Sequence, residues 1–347
     1  MRPVVTSDHS ASSSSSISST SRPRPPALKL VKTQDLSRED WLDVRKRGIG
    51  SSDAAAAVGL NPYRSALALW LNKTGRDALL PKDDPQDEVS PMYWGTLLEP
   101  IVAAHYTRRT GKRVRRIHAV LQHAKEPWML AYIDREVLGC ADVQILECKT
   151  AGMHGAKLWR DGVPEYIQIQ VMHQLAVTGK QAADVAVLIC GQELRIHRIV
   201  RDEAMIAQLI ELERRFWHFV LTEQPPPADG SDSADQALRC LYPKDSGASL
   251  DLRHDLEMSA VFSDLLAVRA LLETHSEREA QLKQRLQERM GEATRLVFET
   301  GEISFKRSQA SSTLDLQKLI QDQPDLLQRY PLIKPGSRRF VVHAAGQ

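Results

Sequence analysis

The sequence predicts an α/β sandwich, and two observations carry this prediction. Along residues 28–222, segments with helical periodicity alternate with short apolar runs in the order helix, strands, helix, strands, helix. The chain has 347 residues, of which 42% are hydrophobic. That size suits one large domain with additions, or two domains, and either can bury a core.

Helices are predicted where capping residues precede apolar residues at helical spacing. The run Asp35–Trp41 is of this kind and begins the first helix, whereas residues 53–58 are rich in alanine. A glycine-containing loop, residues 48–53, separates these two segments. The predicted helices of the sandwich cover residues 35–47, 53–58, 65–74, 91–110, 164–178 and 202–222.

Strands are predicted from short runs rich in β-branched and aliphatic residues. In the sandwich they cover residues 113–118, 129–137, 141–149, 183–190 and 193–199. Further along, residues 251–290 carry a stripe of leucines typical of a helix. Residues 296–306, with Thr300-Gly301 between two short runs, predict a hairpin.

Composition predicts three parts. A Ser-rich run followed by Arg-Pro repeats indicates that residues 1–27 are a disordered tail. The proline run Pro225-Pro226-Pro227 marks a stiff boundary. We therefore expect a principal domain at 28–224 and a C-terminal extension of helix, hairpin and tail at 225–347.

Charge and cysteine usage limit the functional classes. The net charge is only +2, so a nucleic-acid-binding protein of this composition has to concentrate its basic residues locally. The four cysteines form no CxxC pair, which argues against a zinc or iron–sulfur site and against a disulfide framework. No apolar run approaches the ~18–20 residues that span a bilayer. We expect a cytoplasmic protein with no membrane partner.

The strongest chemical signal is Asp134 followed by Glu147-Cys148-Lys149. Phosphodiester hydrolysis needs an activated water and neutralisation of charge, and divalent ions held by carboxylates supply both. Positions i and i+2 share a face of a strand, so Glu147 and Lys149 point the same way. Lys149 could orient or deprotonate the attacking water. The alternative is a plain ion pair at a sheet edge.

Four ordered motifs give this signal a context. They are Ile49-Gly50-Ser51-Ser52-Asp53-Ala54-Ala55-Ala56 with Gly59-Leu60-Asn61-Pro62-Tyr63, then Trp94-Gly95-Thr96-Leu97-Leu98-Glu99-Pro100, then Asp134 with Leu146-Glu147-Cys148-Lys149-Thr150, and finally Gln170 to Gly179. Together they resemble the motifs of YqaJ-like viral recombinases, which are similar to lambda exonuclease and belong to the PD-(D/E)XK nuclease superfamily. The resemblance spans roughly residues 36–227. It implies a restriction-endonuclease-like core, with a central mixed sheet flanked by helices.

The resemblance also implies roles for individual residues. Glu99, Asp134 and Glu147 match the carboxylates that bind Mg²⁺, for which Mn²⁺ can substitute, and the Cys148 backbone carbonyl is expected to join them. Lys149 matches the catalytic lysine, and Gln170 matches the glutamine beside it. Arg45 and Ser52, seven residues apart, match the pair that holds a terminal 5′-phosphate.

The function implied is an exonuclease that degrades double-stranded DNA from its ends, 5′ to 3′. It would leave 3′ single strands for recombination by a single-strand annealing protein. Some relatives form rings, so a homo-oligomeric ring is a further expectation. Tyr132 stands where the lambda enzyme has serine, and the stretch from Asp134 to Glu147 is slightly longer, so end recognition can differ in detail.

Two other functions fit the sequence less well. One is an endonuclease of the same superfamily, acting in repair or restriction. The other is a nonenzymatic DNA-binding protein with a relict fold. The second alternative predicts the loss of a ligand, whereas Glu99, Asp134, Glu147 and Lys149 are all present.

Overall fold

The computed structural model describes residues 27–34, 36–81, 84, 86–332 and 336–343. The chain forms two compact units, the first ending at Tyr242 and the second beginning at Pro243. The tail expected at 1–27 lies, except for Ala27, outside the described residues. Among the described residues, no helix is both long and apolar enough to cross a membrane.

The described residues of the first unit form nine strands and seven α-helices. In chain order these are β1 (Leu28–Lys32), α1 (Arg38–Lys46), β2 (Ile49–Gly50), α2 (Ala54–Ala57), α3 (Ala66–Lys73), α4 (Pro91–Thr110), β3 (Val114–Arg115), β4 (Ala119–Gln122), β5 (Met129–Ala131), β6 (Arg135–Val137), β7 (Ile145–Ala151), α5 (Glu165–Thr178), β8 (Ala182–Ile189), β9 (Glu193–Val200), α6 (Glu203–Leu221) and α7 (Asp232–Leu241). Short 3-10 turns lie at Ser51–Asp53 and Gly155–Trp159.

A five-stranded mixed sheet forms the centre of the first unit, in the order β3-β6-β7-β8-β9. Strand β7 lies in the middle, antiparallel to β6 and parallel to β8, and Glu147 pairs with Val185 in this register. The parallel pairing requires a crossover between β7 and β8, and α5 provides it. The central strand therefore carries Glu147 and Lys149.

A second, four-stranded sheet has the order β1-β4-β5-β2, with β2 parallel to β5 and the other pairs antiparallel. The chain leaves this sheet at Ala131 and enters the five-stranded sheet at Arg135. Residues 132–134 between them have no regular structure. Asp134 consequently lies at the junction of the two sheets.

Helices cover both faces of the five-stranded sheet, as the side-chain alternation along β7 requires. Leu146 packs with Val102 and Tyr106 of α4 in one buried cluster. Ile145, its neighbour, packs with Leu175 of α5 in another. Because successive side chains of a strand point to opposite faces, Glu147 shares the face of Ile145, towards α5. The predicted mixed sheet flanked by helices is confirmed.

Most long helices were predicted to within a few residues, and α4 has the predicted bounds of 91–110. The prediction of a single strand at 129–137 was wrong, because this stretch forms two strands, β5 and β6. The strand predicted at 113–118 shrinks to Val114–Arg115. Helix α7 and strands β1, β2 and β4 were not predicted. The first unit extends past the proline run to Tyr242, because Ala237 of α7 packs in a buried cluster with Leu67 and Trp70 of α3.

The second unit contains one long helix, α8 (Leu256–Met290), and an antiparallel hairpin of β10 (Arg295–Phe298) and β11 (Gly301–Ser304). Two short helices follow, α9 (Leu316–Asp322) and α10 (Leu326–Arg329). The predicted long helix and hairpin are confirmed. The domain limits at 225 and 347 stay a proposal.

Candidate active site

Glu147 is the centre of a hydrogen-bond network on the α5 side of the sheet. Its side chain is buried, with 2% of the residue exposed. One carboxylate oxygen, Oε1, accepts from Gln170 Nε2 at 2.6 Å and lies 2.7 Å from Lys149 Nζ. The other, Oε2, accepts from Gln174 Nε2 at 2.7 Å. A buried carboxylate needs such donors to remain charged.

Lys149 lies two residues after Glu147, on the same face of β7. Its ammonium donates to Gln170 Oε1 at 3.0 Å and pairs with Glu147. Burial by itself lowers the pKa of Lys149, but the charges of Glu147 and Asp134 outweigh burial and leave the pKa raised. Lys149 is therefore an ammonium at neutral pH in this network, placed to orient and stabilise negative charge.

Asp134 reaches the same network from the junction of the two sheets. Its Oδ2 accepts from the Cys148 backbone N–H at 2.8 Å, which holds the carboxylate beside β7. Burial first, and then the charge of Glu147, raise the pKa of Asp134 to about 8, although Lys149 opposes this rise. The two carboxylates together therefore carry more negative charge than the surrounding cations offset.

Glu99 approaches the site from α4. Its Oε1 accepts from Arg135 Nη1 at 2.5 Å, and Arg116 lies 3.9 Å from its Oε2. The charge of Glu99 also contributes to the raised pKa of Asp134. Glu99 is thus close enough to influence Asp134 but is paired with arginines.

The donor set fits a divalent cation in part. Within the described residues, no group of three or more His, Cys, Asp or Glu side chains is arranged to hold a metal ion. Asp134 and Glu147 nevertheless form a buried pair of like charges, one of which takes up a proton when nothing else neutralises it. A hard cation with oxygen ligands would relieve that repulsion. The Asp134 and Glu147 carboxylates therefore fit such an ion, and Glu99 would join them only after leaving Arg135.

A second cluster surrounds Asp53, at the end of the 3-10 turn that follows β2. Asp53 Oδ2 accepts from Lys73 Nζ at 2.8 Å, whereas Oδ1 lies 3.4 Å from Arg45 and 3.3 Å from Arg64. Arg45 also donates to Ser52 Oγ at 3.0 Å. Burial alone would raise the pKa of Asp53, but these three cations lower it. Three positive charges against one negative charge make this cluster an anion-binding candidate.

Aromatic rings fix the orientation of Arg45. Its guanidinium carbon lies 4.8 Å from the centre of the Trp41 ring and 5.6 Å from that of Tyr132. Trp41 and Tyr132 also contact each other at 6.1 Å between centroids. A planar guanidinium held on aromatic faces keeps its donors in a fixed direction.

A cavity of about 550 Å³ lies beside two of the candidate acids and the two aromatic rings that contact Arg45. Trp41 and Tyr132 line one part of it, and Glu99 and Asp134 line another. The structure therefore brings together Asp134, Glu147, Lys149 and Gln170 in one network and Arg45 with Ser52 in a second. Asp134 of the first network lines the cavity together with Trp41 and Tyr132, which contact Arg45 of the second.

The sequence did not predict the roles of two residues in these clusters, Gln174 and Lys73. Gln174 is fully buried and binds both Glu147 and the Tyr132 carbonyl oxygen. Its spacing of four residues from Gln170 on a helix was the available signal. Lys73, which holds Asp53 and the Arg45 carbonyl oxygen, ends an otherwise apolar helix and carried no such signal.

His173, inside the fourth motif, has a structural position. It is buried between the Glu213 carboxylate at 2.7 Å and the Leu130 carbonyl oxygen at 2.9 Å. Burial lowers its pKa, but the charge and hydrogen bond of Glu213 outweigh burial and raise it. Both ring nitrogens are engaged in these two contacts, so the imidazole links α5 to α6 and β5.

Comparison with known proteins gives three similarities. The family model of the YqaJ-like viral recombinase domain matches residues 40–181. The uncharacterized protein YqaJ of Bacillus subtilis (strain 168) is 39% identical over 228 residues, which are 64% of this chain and 69% of that protein. Among solved structures, an alkaline exonuclease from Laribacter hongkongensis has 22% identity and a TM-score of 0.45, covering 54% of this chain and 94% of its own. The residues matched by the family model include every side chain of the Glu147 network.

Proposed function

Because the chain belongs to the YqaJ-like viral recombinase family, we propose that its first unit is a divalent-metal-dependent DNA exonuclease. The proposed substrate is the end of a double-stranded DNA, degraded in the 5′-to-3′ direction. The observation that carries the proposal is the network in which Lys149 and the Gln170 amide bond to Glu147, with Asp134 held against the same strand.

The proposed metal ligands are the carboxylates of Asp134 and Glu147 and the backbone carbonyl of Cys148. Glu99 is proposed to join them in the DNA complex. Mg²⁺, with Mn²⁺ as a substitute, suits this all-oxygen set. When bound, such an ion supplies charge neutralisation at the phosphate and lowers the pKa of a bound water.

The protein groups have separate proposed tasks in hydrolysis. Water attacks the phosphorus while the bond from phosphorus to the 3′ oxygen breaks. The leaving 3′ oxygen takes up one proton and becomes a hydroxyl, and the second proton of the water is released to solvent as the new 5′-phosphate ionises. Lys149, as an ammonium, orients the water and offsets charge that develops on the phosphoryl oxygens. Gln170 keeps Lys149 in place, because its amide bonds to both Lys149 and Glu147. The product is a 5′-mononucleotide.

The 5′-to-3′ direction is proposed from the cluster around Asp53. Its excess positive charge suits a terminal 5′-phosphate, which Arg45 and Ser52 would bind directly. Their hydrogen bond and the two aromatic rings hold Arg45 ready for this contact. Each cut leaves a new 5′-phosphate, so the same cluster would bind the shortened end.

The 3′ strands produced in this way would serve recombination. A single-strand annealing protein is the proposed partner, as the family relationship implies. A homo-oligomeric ring, which the family resemblance implies, is one candidate assembly, and the mass of the full chain distinguishes it from the two-chain assembly argued below.

The test uses one DNA in two forms. A linear duplex with 5′-phosphates and the same DNA as a closed circle are incubated with the full chain and Mg²⁺, with and without chelator. We expect loss of the linear DNA and release of mononucleotides, and no change in the circle. Cutting of the circle would indicate an endonuclease and overturn the exonuclease proposal.

Two variants connect this activity to the network. Glu147→Gln and Lys149→Ala are expected to lower the rate by about 10²–10⁴-fold, because each removes a charged group from the reacting centre. Lys157→Ala, on the 3-10 turn after β7, is the control. Unchanged degradation by the first two variants would refute the mechanism.

A further inference from the structure

Helix α8 has an exposed apolar stripe. Its 35 residues make it about 50 Å long at 1.5 Å per residue. Leu272 is 61% exposed, Val261 is 55% exposed and Val268 is 52% exposed, and only Met290 is buried on the helix. Leu265 and Leu286 of the stripe are partly buried, whereas its other apolar residues are exposed. A long helix gains most of its stability by packing its apolar stripe against a partner.

The stripe follows a heptad. Taking Met258 as the first a position, the a positions are 258, 265, 272, 279 and 286, and the d positions are 261, 268, 275, 282 and 289. Seven of these ten residues are Met, Val or Leu. This spacing of three and four residues is that of a coiled-coil seam. The occupant of the stripe is therefore another helix.

Charges beside the seam identify the helix that fits. The g positions of the N-terminal half carry Glu257 and Asp264, whereas those of the C-terminal half carry Arg278 and Arg285. In an antiparallel pair, the g edge of one helix faces the g edge of the other in reverse order. The acidic half of each helix then faces the basic half of its copy. The g edge is therefore complementary to itself in the antiparallel direction.

Two of the three polar core positions, Glu279 and Arg289, favour the same direction. A parallel pair would stack Glu279 on Glu279 and Arg289 on Arg289, placing like charges in one layer. The antiparallel pair instead places Glu279 opposite Val268 and Arg289 opposite Met258. The long side chains of Glu279 and Arg289 can then extend their charged ends to solvent. On the e edge, the basic residues Arg269 and Lys283 face the same residues of the other helix, and their repulsion opposes this gain on that edge alone.

We propose that α8 pairs with α8 of a second copy of this chain in an antiparallel two-stranded coiled coil. The pairing is independent of the nuclease proposal. Its two-fold axis crosses the helix near residues 273–274, halfway along the heptads.

The mass of the full chain is the first test. Light scattering should give twice the 38.9 kDa of one chain. Leu265→Asp with Leu272→Asp should give single chains, because both charges enter the seam. Ala267→Asp with Ala270→Asp is the matched control on the opposite face of the same helix, and it should remain a dimer. A wild-type monomer, a trimer or ring, or a Leu variant that stays dimeric would overturn the proposal.

Helix direction is the second test, which needs no destabilising change. Nitroxide labels are placed at Ser263→Cys or Gln284→Cys, both at exposed f positions, with the parent chain as background for its natural cysteines. The two sites are 21 residues apart, or about 32 Å. In an antiparallel pair, a short distance appears only when the two labelled chains are mixed. A short distance within either sample alone would indicate a parallel pair and overturn the proposal.

Discussion

The Lys149 ammonium lies 2.7 Å from the Glu147 carboxylate, two residues away on the same face of β7. The Gln170 amide bonds to both groups, donating to Glu147 and accepting from Lys149. An acid and a base on a central strand are costly to bury unless each is fully hydrogen-bonded. Helix α5 satisfies this requirement, because Gln170 bonds to both groups and Gln174 donates to the second oxygen of Glu147.

Gln174→Ala should lower activity although Gln174 lies behind the reacting groups. The change removes the donor to Glu147 Oε2 and to the Tyr132 carbonyl oxygen. Loss of a partner that orients a ligand costs about 10–100-fold in activity. Rates on 5′-phosphorylated duplex measure this effect. Gln168→Ala, an exposed glutamine on the same helix, is the control. Equal rates for the two variants would show that Gln174 has no such role.

Mg²⁺ should raise the melting temperature of the full chain in the absence of DNA. A ligand at 100 times its Kd stabilises the folded state by about 2.7 kcal/mol. Asp134→Asn should remove this shift, because it removes one of the two carboxylates proposed as ligands. The measurement is thermal unfolding with Mg²⁺ or with chelator. Asp142→Asn, an exposed acid in the same unit, should retain the shift. An intact shift in Asp134→Asn would exclude Asp134 as a ligand.

Lys73→Met should destabilise the first unit and weaken discrimination between DNA ends. Lys73 Nζ is fully buried and donates to Asp53 and to the Arg45 carbonyl oxygen. Removing one partner of a buried ion pair costs about 3–5 kcal/mol. Urea unfolding measures the stability, and the ratio of rates on 5′-phosphate and 5′-hydroxyl ends measures the discrimination. Lys125→Met, at an exposed position, should change neither quantity.

Gly50→Ala should impair the end-binding cluster through Tyr132. A Cβ atom at Gly50 would lie 2.9 Å from the Tyr132 ring, closer than van der Waals contact allows. Tyr132→Ala in the same chain should relieve the clash, so the double variant should be less impaired than additivity predicts. Thermal unfolding and the rate on 5′-phosphorylated ends both report this. Tyr132→Phe keeps the ring and should give no rescue, and strictly additive effects would contradict the contact.

The His173–Glu213 pair should stabilise the protein more at low pH. Because the folded pKa of His173 is raised above its ordinary value of 6.5, the pair contributes fully below about pH 6.5. The contribution is lost as the pH rises through the raised folded pKa. The difference in unfolding free energy between wild type and Glu213→Gln should therefore shrink with rising pH. Glu211→Gln, on the exposed side of α6, should show no such trend. A difference that grows with pH would be the opposite of this prediction.

The long helices were predictable because capping residues and apolar spacing are local signals. Helix α4 begins at a Ser90 cap with Pro91 in its first turn and ends at Gly111 in the left-handed conformation, and both ends are visible in the sequence. Strand β7 was predictable from its apolar run interrupted by Glu147 and Lys149. These elements carry the residues that the family resemblance identified.

The remaining features depend on contacts between distant segments. Strand β1 pairs with β4 across about ninety residues, and neither has a local pattern that requires the pairing. No glycine or proline marks the break after Ala131, and Tyr132, Ile133 and Asp134 continue the pattern of a single strand. Lys73 resembles an ordinary basic residue at a helix end, and only the packing of α3 buries it.

The break between β5 and β6 has a consequence for the length of the fragments released. The Tyr132 ring contacts Arg45 of the proposed end-holding cluster, and Asp134 of the proposed cutting centre follows only two residues later. The distance between the two sites is therefore fixed by the backbone of three consecutive residues. A glycine inserted next to Ile133 would lengthen this connection, and the enzyme should then release its nucleotides in less uniform steps.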